Sequence, residues 1–212
     1  MIIFLSMIFV SFEFLSMIFN QYFVDVHAFG LILPFNISVV FFCCCFFILD
    51  IVTDLYDSKV ADKIIYGKII CQLLFVSFGI LGIYGADLVG TQLDQIISAS
   101  PRMILNGVIA SVIGYKATTC IMQKLKVKYD GRFIFFRYIS STIPGEIAFS
   151  FVFTVLSFSR DRSFREVLMV FFTLSIVKIV LSFVFSSIAI PTTIFIRRIR
   201  KKNTSREYIS FT

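Results

Sequence analysis

The stretch ISVVFFCCCFFILDIVTDLYDSK, residues 37–59, decides the fold. From Leu31 to Leu49 no residue carries a charge, which is close to the ~20 apolar residues that a helix needs to cross a bilayer. The run then meets three carboxylates, Asp50, Asp54 and Asp57. Working outward from it, five more stretches have spanning length: about 2–24, 64–86, 101–123, 133–158 and 167–196, with 31–49 as the second of six. The whole chain is 212 residues, 58% hydrophobic, with a mean hydropathy of +0.92. Soluble domains are about 45–50% apolar, and a chain this short cannot hide the excess in one core. The expected fold is an all-α integral membrane protein. One six-helix domain covers residues 1–196, and a short basic cytoplasmic tail covers 197–212. Two sets of three helices would be inverted relative to each other, and Pro144 is expected to break the fifth helix.

The net charge of +7 would suggest nucleic acid in a soluble chain. Here the basic residues cluster between apolar runs, where they set topology and touch lipid headgroups. With both termini inside, the inner segments hold most of the Lys and Arg, and Lys68 is counted with them. The outer segments hold Arg102, Arg160, Arg162 and Arg165. The expected location is therefore the cytoplasmic (inner) membrane, multi-pass, with both termini cytoplasmic. Met1 to Phe19 lacks a basic start and a small-residue cleavage site, and Glu13 interrupts it, so it reads as a retained helix. The five cysteines form no CxxC pair and the one histidine is His27, so no metal site is expected. No catalytic triad or phosphate loop is present, and neither an enzyme nor a cofactor is expected.

Ionisable residues inside a spanning helix cost about 2.5–3.5 kcal/mol each on insertion scales. Glu13, Lys116, Arg137, Glu146 and Lys178 are of this kind, with Asp50 and Asp54 at a helix end. They read equally as mutually neutralising pairs and as a substrate site. Asp50, Asp54 and Asp57 fall at i, i+4 and i+7 and would share one helical face, where like charges repel unless a partner or ligand is present. The same run also reads as a solvated loop, with Asp57 or Ser58 capping the next helix, and composition alone favours the loop. The second constellation is RYISSTIPGE, residues 137–146. A proline kink, a carboxylate and the hydroxyls of Ser141 and Thr142 come together in it, and a kinked membrane helix needs its freed backbone groups satisfied by protein or a water-lined cavity. Its alternative reading is a packing kink with Glu146 paired to Lys116 or Lys178. Gly107, Ser111, Gly114 and Thr118 have the spacing of close helix packing. Ser175, Lys178, Ser182 and Ser186 form a polar stripe that should face the bundle.

The run FILDIVTDLY, residues 47–56, together with Arg137, Ser141, Thr142 and Gly145 with a polar neighbour, resembles the queuosine-precursor transporters, earlier named vitamin uptake transporters. The resemblance covers most of the chain in order. That family usually has Glu where Asp54 stands, Gly where Asp57 stands, Gln where Glu146 stands, and Asp where Phe149 stands. The resemblance implies uptake of 7-deazaguanine bases (preQ0, preQ1) or queuine. It implies a substrate site drawn from Asp50, Thr53, Asp54, Arg137, Ser141, Thr142, Gly145, Glu146 and Lys178. The expected partners are a small deazapurine substrate and the lipid bilayer, with a homo-oligomer also compatible and no nucleic acid. Two other readings compete. A substrate-binding subunit of an ATPase-driven vitamin importer usually docks through alanines on its first helix, and residues 1–27 contain none. A non-transporting structural membrane protein would use its buried charges only as mutual partners.

In a background with the native cysteines replaced, Ser163→Cys is expected to react with an impermeant thiol reagent from outside the cell. Reaction only from the cytoplasmic side would refute the orientation.

Overall fold

A computed structural model describes residues 1–20, 22–28, 31–91, 101–159 and 163–210. All six expected spans are present: α1 (Ile2–Phe19), α2 (Ser38–Leu55), α3 (Ser58–Gly85), α4 (Pro101–Lys128), α5 (Ile134–Phe158) and α6 (Phe164–Ser210). Each contains a segment long and apolar enough to cross a membrane. Their outer faces carry large apolar side chains such as Ile3, Phe78, Leu81 and Phe164, all well exposed, as lipid contact requires. Of the loop arginines named above, Arg160 and Arg162 lie outside the described residues, as does most of the expected loop between the third and fourth helices.

Several boundaries differ from expectation. The first helix stops at Phe19 and the second starts at Ser38. Between them an antiparallel hairpin pairs β1 (Phe23–Ala28) with β2 (Leu31–Asn36), running from Phe23↔Asn36 to Ala28↔Leu31. Apolarity had extended both helices into it. Pro34 cannot donate to a helix interior and is tolerated in a strand with a free edge, and Asn36 Oδ1 accepts from Ser38 N at 2.8 Å, opening α2. Asp50 and Asp54 fall within α2, which runs on to Leu55, with Asp54 in its last turn and Asp50 one turn earlier. The link to α3 is Tyr56-Asp57 alone, so Asp57 leaves the face of the other two carboxylates. Its side chain accepts from Ser58 N at 2.7 Å, the capping role that the loop reading gave it. Its φ of 134° is strained for any residue but glycine, the residue that the resembled family has there. Finally, α5 is not broken. It continues through Pro144 to Phe158, and the helix of the sixth span runs on past Arg197 to Ser210.

α2 is the axis of the bundle. It packs against every other helix, and most of its length is buried, whereas α5 principally meets α4, α6 and α2. The two triplets are therefore unequal in packing. The most extensive contact joins α4 to α5. There the backbones approach at Gly114 and Gly145. A Cβ on Gly114 would lie 2.8 Å from Phe149 Cβ and 2.9 Å from Gly145 O; a Cβ on Gly145 would lie 2.8 Å from Gly114 O and would also strike Thr118 Oγ1. Lipid tails are as apolar as a leucine face, so such close backbone packing is what holds two membrane helices together. Of the small-residue stripe on α4, Gly114 and Thr118 serve this seam, and Ser111 turns instead to α3.

Gly145→Ala is expected to destabilise the detergent-purified protein by about 1–3 kcal/mol, the usual range for overpacking. Gly67→Ala, where nothing lies within 4 Å of the new methyl, is the control and should melt as the parent does. Equal thermal unfolding of the two variants would refute the seam.

Candidate functional site

The aspartate run of α2 and the proline helix α5 meet inside the bundle. Asp50 of α2 is 2% exposed. Ser141 Oγ donates to its Oδ1 at 3.0 Å, and Thr142 Oγ1 donates to its Oδ2. Both hydroxyls come from α5 because positions 141 and 142 lie on the flank of that helix turned to α2. Ser141 Oγ also lies 2.8 Å from Arg137 O, so its back-bond fixes the rotamer. Thr142 and Glu146 are one turn apart, and Glu146 is buried as well. Its Oε2 accepts from Ser182 Oγ of α6, while its Oε1 has no hydrogen-bond partner. Ser182 belongs to the polar stripe on α6, which is buried along its length, as expected.

Among the described residues, Lys178 does not form the ion pair with Glu146 that the packing reading gave it. Its Nζ donates to Ser150 Oγ at 3.2 Å and lies over two rings, 4.0 Å from Phe149 and 4.7 Å from Phe42. A lysine ammonium on two ring faces is stabilised by their negative quadrupoles, which in a dry site is worth about 2 kcal/mol or more. Lys116 does not pair with Glu146 either. It pairs with Asp62 of α3 at 2.7 Å on the half-exposed surface.

Asp54, one turn beyond Asp50 on α2, is part of a separate clamp. Its Oδ1 lies 2.8 Å from Arg137 Nη2, with both side chains fully buried, and its Oδ2 accepts from Arg197 Nη2 at 2.6 Å. The contact with Arg137 is close but poorly aligned as a hydrogen bond. Arg137 also donates from Nε to Arg132 O at 2.9 Å and from Nη2 to Gly131 O at 3.2 Å, which ties the α4–α5 turn to the clamp. Thr53 is spent within α2: its Oγ1 donates to Leu49 O, and its carbonyl accepts from Lys126 of α4. The bundle thus closes at this end with three cations around the last turn of α2, where a helix C-terminus favours positive charge.

The nine residues expected at the site therefore divide. Asp50, Ser141 and Thr142 form one network, with Glu146 next along α5 and Lys178 one turn farther. Asp54 and Arg137 form the clamp. Thr53 and Gly145 are packing and backbone positions. Between α2, α5 and α6, beside Asp50 and Thr142, lies a small cavity of about 10 Å³, room for no more than one water molecule. Cys43, Tyr138, Ser182 and Phe185 help line it. Cys43 and Tyr138 were not legible as site residues, because a buried cysteine or tyrosine is usually only packing. Tyr138 Oη bonds Thr193 Oγ1 at 2.7 Å, joining α5 to α6 below the space. Among the described residues no cluster of His, Cys, Asp or Glu has the makings of a metal site.

No curated protein and no solved structure matches this chain. A family model described as putative vitamin uptake transporter matches residues 36–196, from the end of the hairpin to Ile196 within α6, and so takes in Asp50, Glu146, the proline helix and the polar stripe of α6. It is also the family that the two sequence motifs resemble. The chain belongs to the putative vitamin uptake transporter family and is a multi-pass membrane protein.

Proposed function

We propose that the protein imports queuosine precursors, 7-deazaguanine bases or queuine, across the cytoplasmic membrane, with Asp50 and Glu146 recognising the base. The observation that carries this reading is the unpartnered, buried Glu146 Oε1, one turn from Thr142 on the face that meets Asp50. A guanine-like edge offers N1–H and a 2-amino group side by side, and a carboxylate accepts both. Hydrogen bonds to a charged acceptor are about twice as strong as neutral ones. Phe42 and Phe149 touch each other at 4.1 Å between centroids under Lys178, so a flat base gains a ring face only when they part; stacking on an aromatic side chain is worth about 1–3 kcal/mol per base in nucleic-acid complexes. The cavity beside Asp50 is only about 10 Å³, far below the ~300–1,000 Å³ of ordinary ligand pockets. Entry of a bicyclic base therefore requires α2, α5 and α6 to part. The Asp54 clamp then serves as the closed cytoplasmic end, and Lys178 balances the charge of Glu146 when the base is bound.

The test is tRNA queuosine content in cells that lack both queuosine synthesis and their own importer, given this protein and fed preQ0, preQ1 or queuine at low concentration. Queuosine is expected with at least one precursor. Glu146→Gln and Asp50→Asn should each lower its rate of appearance by about 10–100-fold, the loss of one hydrogen bond to a charged group. Lys116→Ala, at the surface pair, should leave it unchanged. Rescue by no precursor, with the protein shown to be in the membrane, would refute the assignment.

A further inference from the structure

A second set of ionisable groups lies wholly inside the bundle, on the far side of the aromatic rings from Asp50 and Glu146. Glu13 of α1 meets Lys68 of α3 at 3.2 Å, with side chains 7% and 2% exposed. Tyr115 Oη of α4 donates to the same Glu13 oxygen, and Lys68 Nζ donates to Ser111 Oγ of α4 at 2.8 Å. From α2, Cys45 packs beside them, its thiol directed at Phe9 O. Cys45, Lys68 and Tyr115 are thus the titratable groups facing Glu13. The sequence had separated this cluster, placing Lys68 with the loop cations and Glu13 alone in the first helix.

Two observations suggest more than a structural pin. One turn along α3 from Lys68, and one turn along α1 from Glu13, Gln72 Nε2 donates to Met17 Sδ at 3.0 Å, while Gln72 Oε1 is buried without a partner. This extends the polar groups from Glu13 toward the hairpin end of the bundle, away from the Asp54 clamp. The second observation is the ring between the two sites. Tyr115 has Lys68 5.5 Å from its centroid and stacks on Phe42 at 5.7 Å and 25°. Phe42 in turn carries Lys178 and lies against Phe149. The phenol that holds Glu13 therefore backs the same ring that walls the candidate substrate site.

We infer that Glu13, with Lys68 and Tyr115, is a proton-binding site that couples a proton gradient to transport. The inference rests on the transport reading above. A proton reaching Glu13 past Gln72 converts the carboxylate to a neutral acid. Lys68 then loses its counter-charge and keeps Ser111 as a partner. Tyr115 loses its charged acceptor, its ring is released from Phe42, and the wall of the substrate site loosens. Loss of the proton toward the clamp end restores the Glu13–Lys68 pair and the ring stack.

The test uses the purified protein in proteoliposomes with labelled preQ0, preQ1 or queuine, whichever the cells use. Counterflow into preloaded vesicles reads exchange alone, and accumulation under an imposed pH gradient reads coupling. The wild type should show both. Glu13→Gln should keep counterflow within about threefold and lose at least tenfold in gradient-driven accumulation, and Glu13→Asp should recover part of it. The neutral double variant Glu13→Gln/Lys68→Met, which leaves no unpaired buried charge, should behave as Glu13→Gln does and covers the case in which the single variant fails to insert. Gradient-driven accumulation by either variant at the wild-type level would overturn the inference, as would wild-type accumulation indifferent to pH. Loss of counterflow in all three variants would also overturn it, since the cluster would then serve binding or folding. Absence of counterflow in the wild type would instead refute the transport reading, and this inference with it.

Discussion

A charge inside hydrocarbon must find its partner inside the protein, because no water is there to solvate it. The arrangement of this bundle follows from that constraint. Asp54 holds α2 against α5 and α6 through two arginines, and Glu13 holds α1 against α3 and α4 through Lys68 and Tyr115. Asp50 holds α2 against α5 through two hydroxyls. Every one of these carboxylates is contacted from a different helix, so the polar groups specify which helices are neighbours. The apolar faces only exclude lipid. α2 is the axis because it supplies two of the carboxylates and meets all five other helices.

Within that frame the two carboxylates of α2 have different surroundings although they are one turn apart. Asp54 is neutralised by cations from α5 and α6. Asp50 has only neutral donors, Ser141 and Thr142. A carboxylate held by two arginines is the hardest of these to disengage, because breaking a buried pair by removing one partner typically costs about 3–5 kcal/mol. A carboxylate held by hydroxyls can exchange them for a better donor at much smaller expense. Glu146 is freer still, with one oxygen unengaged. The gradation from Asp54 to Asp50 to Glu146 runs from the end of the bundle to its middle, where a ligand can be enclosed from both sides.

The six spans were readable because apolar length is decided by the bilayer, and no distant contact can change it. Asp50, Arg137, Thr142 and Glu146 stood out for a related reason: a polar residue in an apolar run needs an explanation from inside the protein. What could not be read was pairing. Glu146 with Lys178 satisfies charge on paper, but the rings of Phe42 and Phe149 take the ammonium instead. Lys68 looked like a loop cation because helix ends are not marked in a run this apolar, and its partners Glu13 and Tyr115 lie 55 and 47 residues away along the chain. The i, i+4, i+7 reading of the three aspartates assumed one continuous helix, and the strained turn at Asp57 ends it. The hairpin was missed because β-branched and aromatic residues that suit a strand are also apolar enough to suit a membrane helix.

The connection between α2 and α3 consists of Tyr56 and Asp57 alone, whereas residues 20–37 separate α1 from α2 and 86–100 separate α3 from α4. A joint that short leaves almost no slack. Any tilt of α2 at its Asp54 end is handed directly to the first turn of α3, and from there along a stiff rod to Lys68. The Asp50 network and the Glu13 pair are thus fixed to two arms of one lever, and the fulcrum is a single residue in a backbone conformation that permits little else.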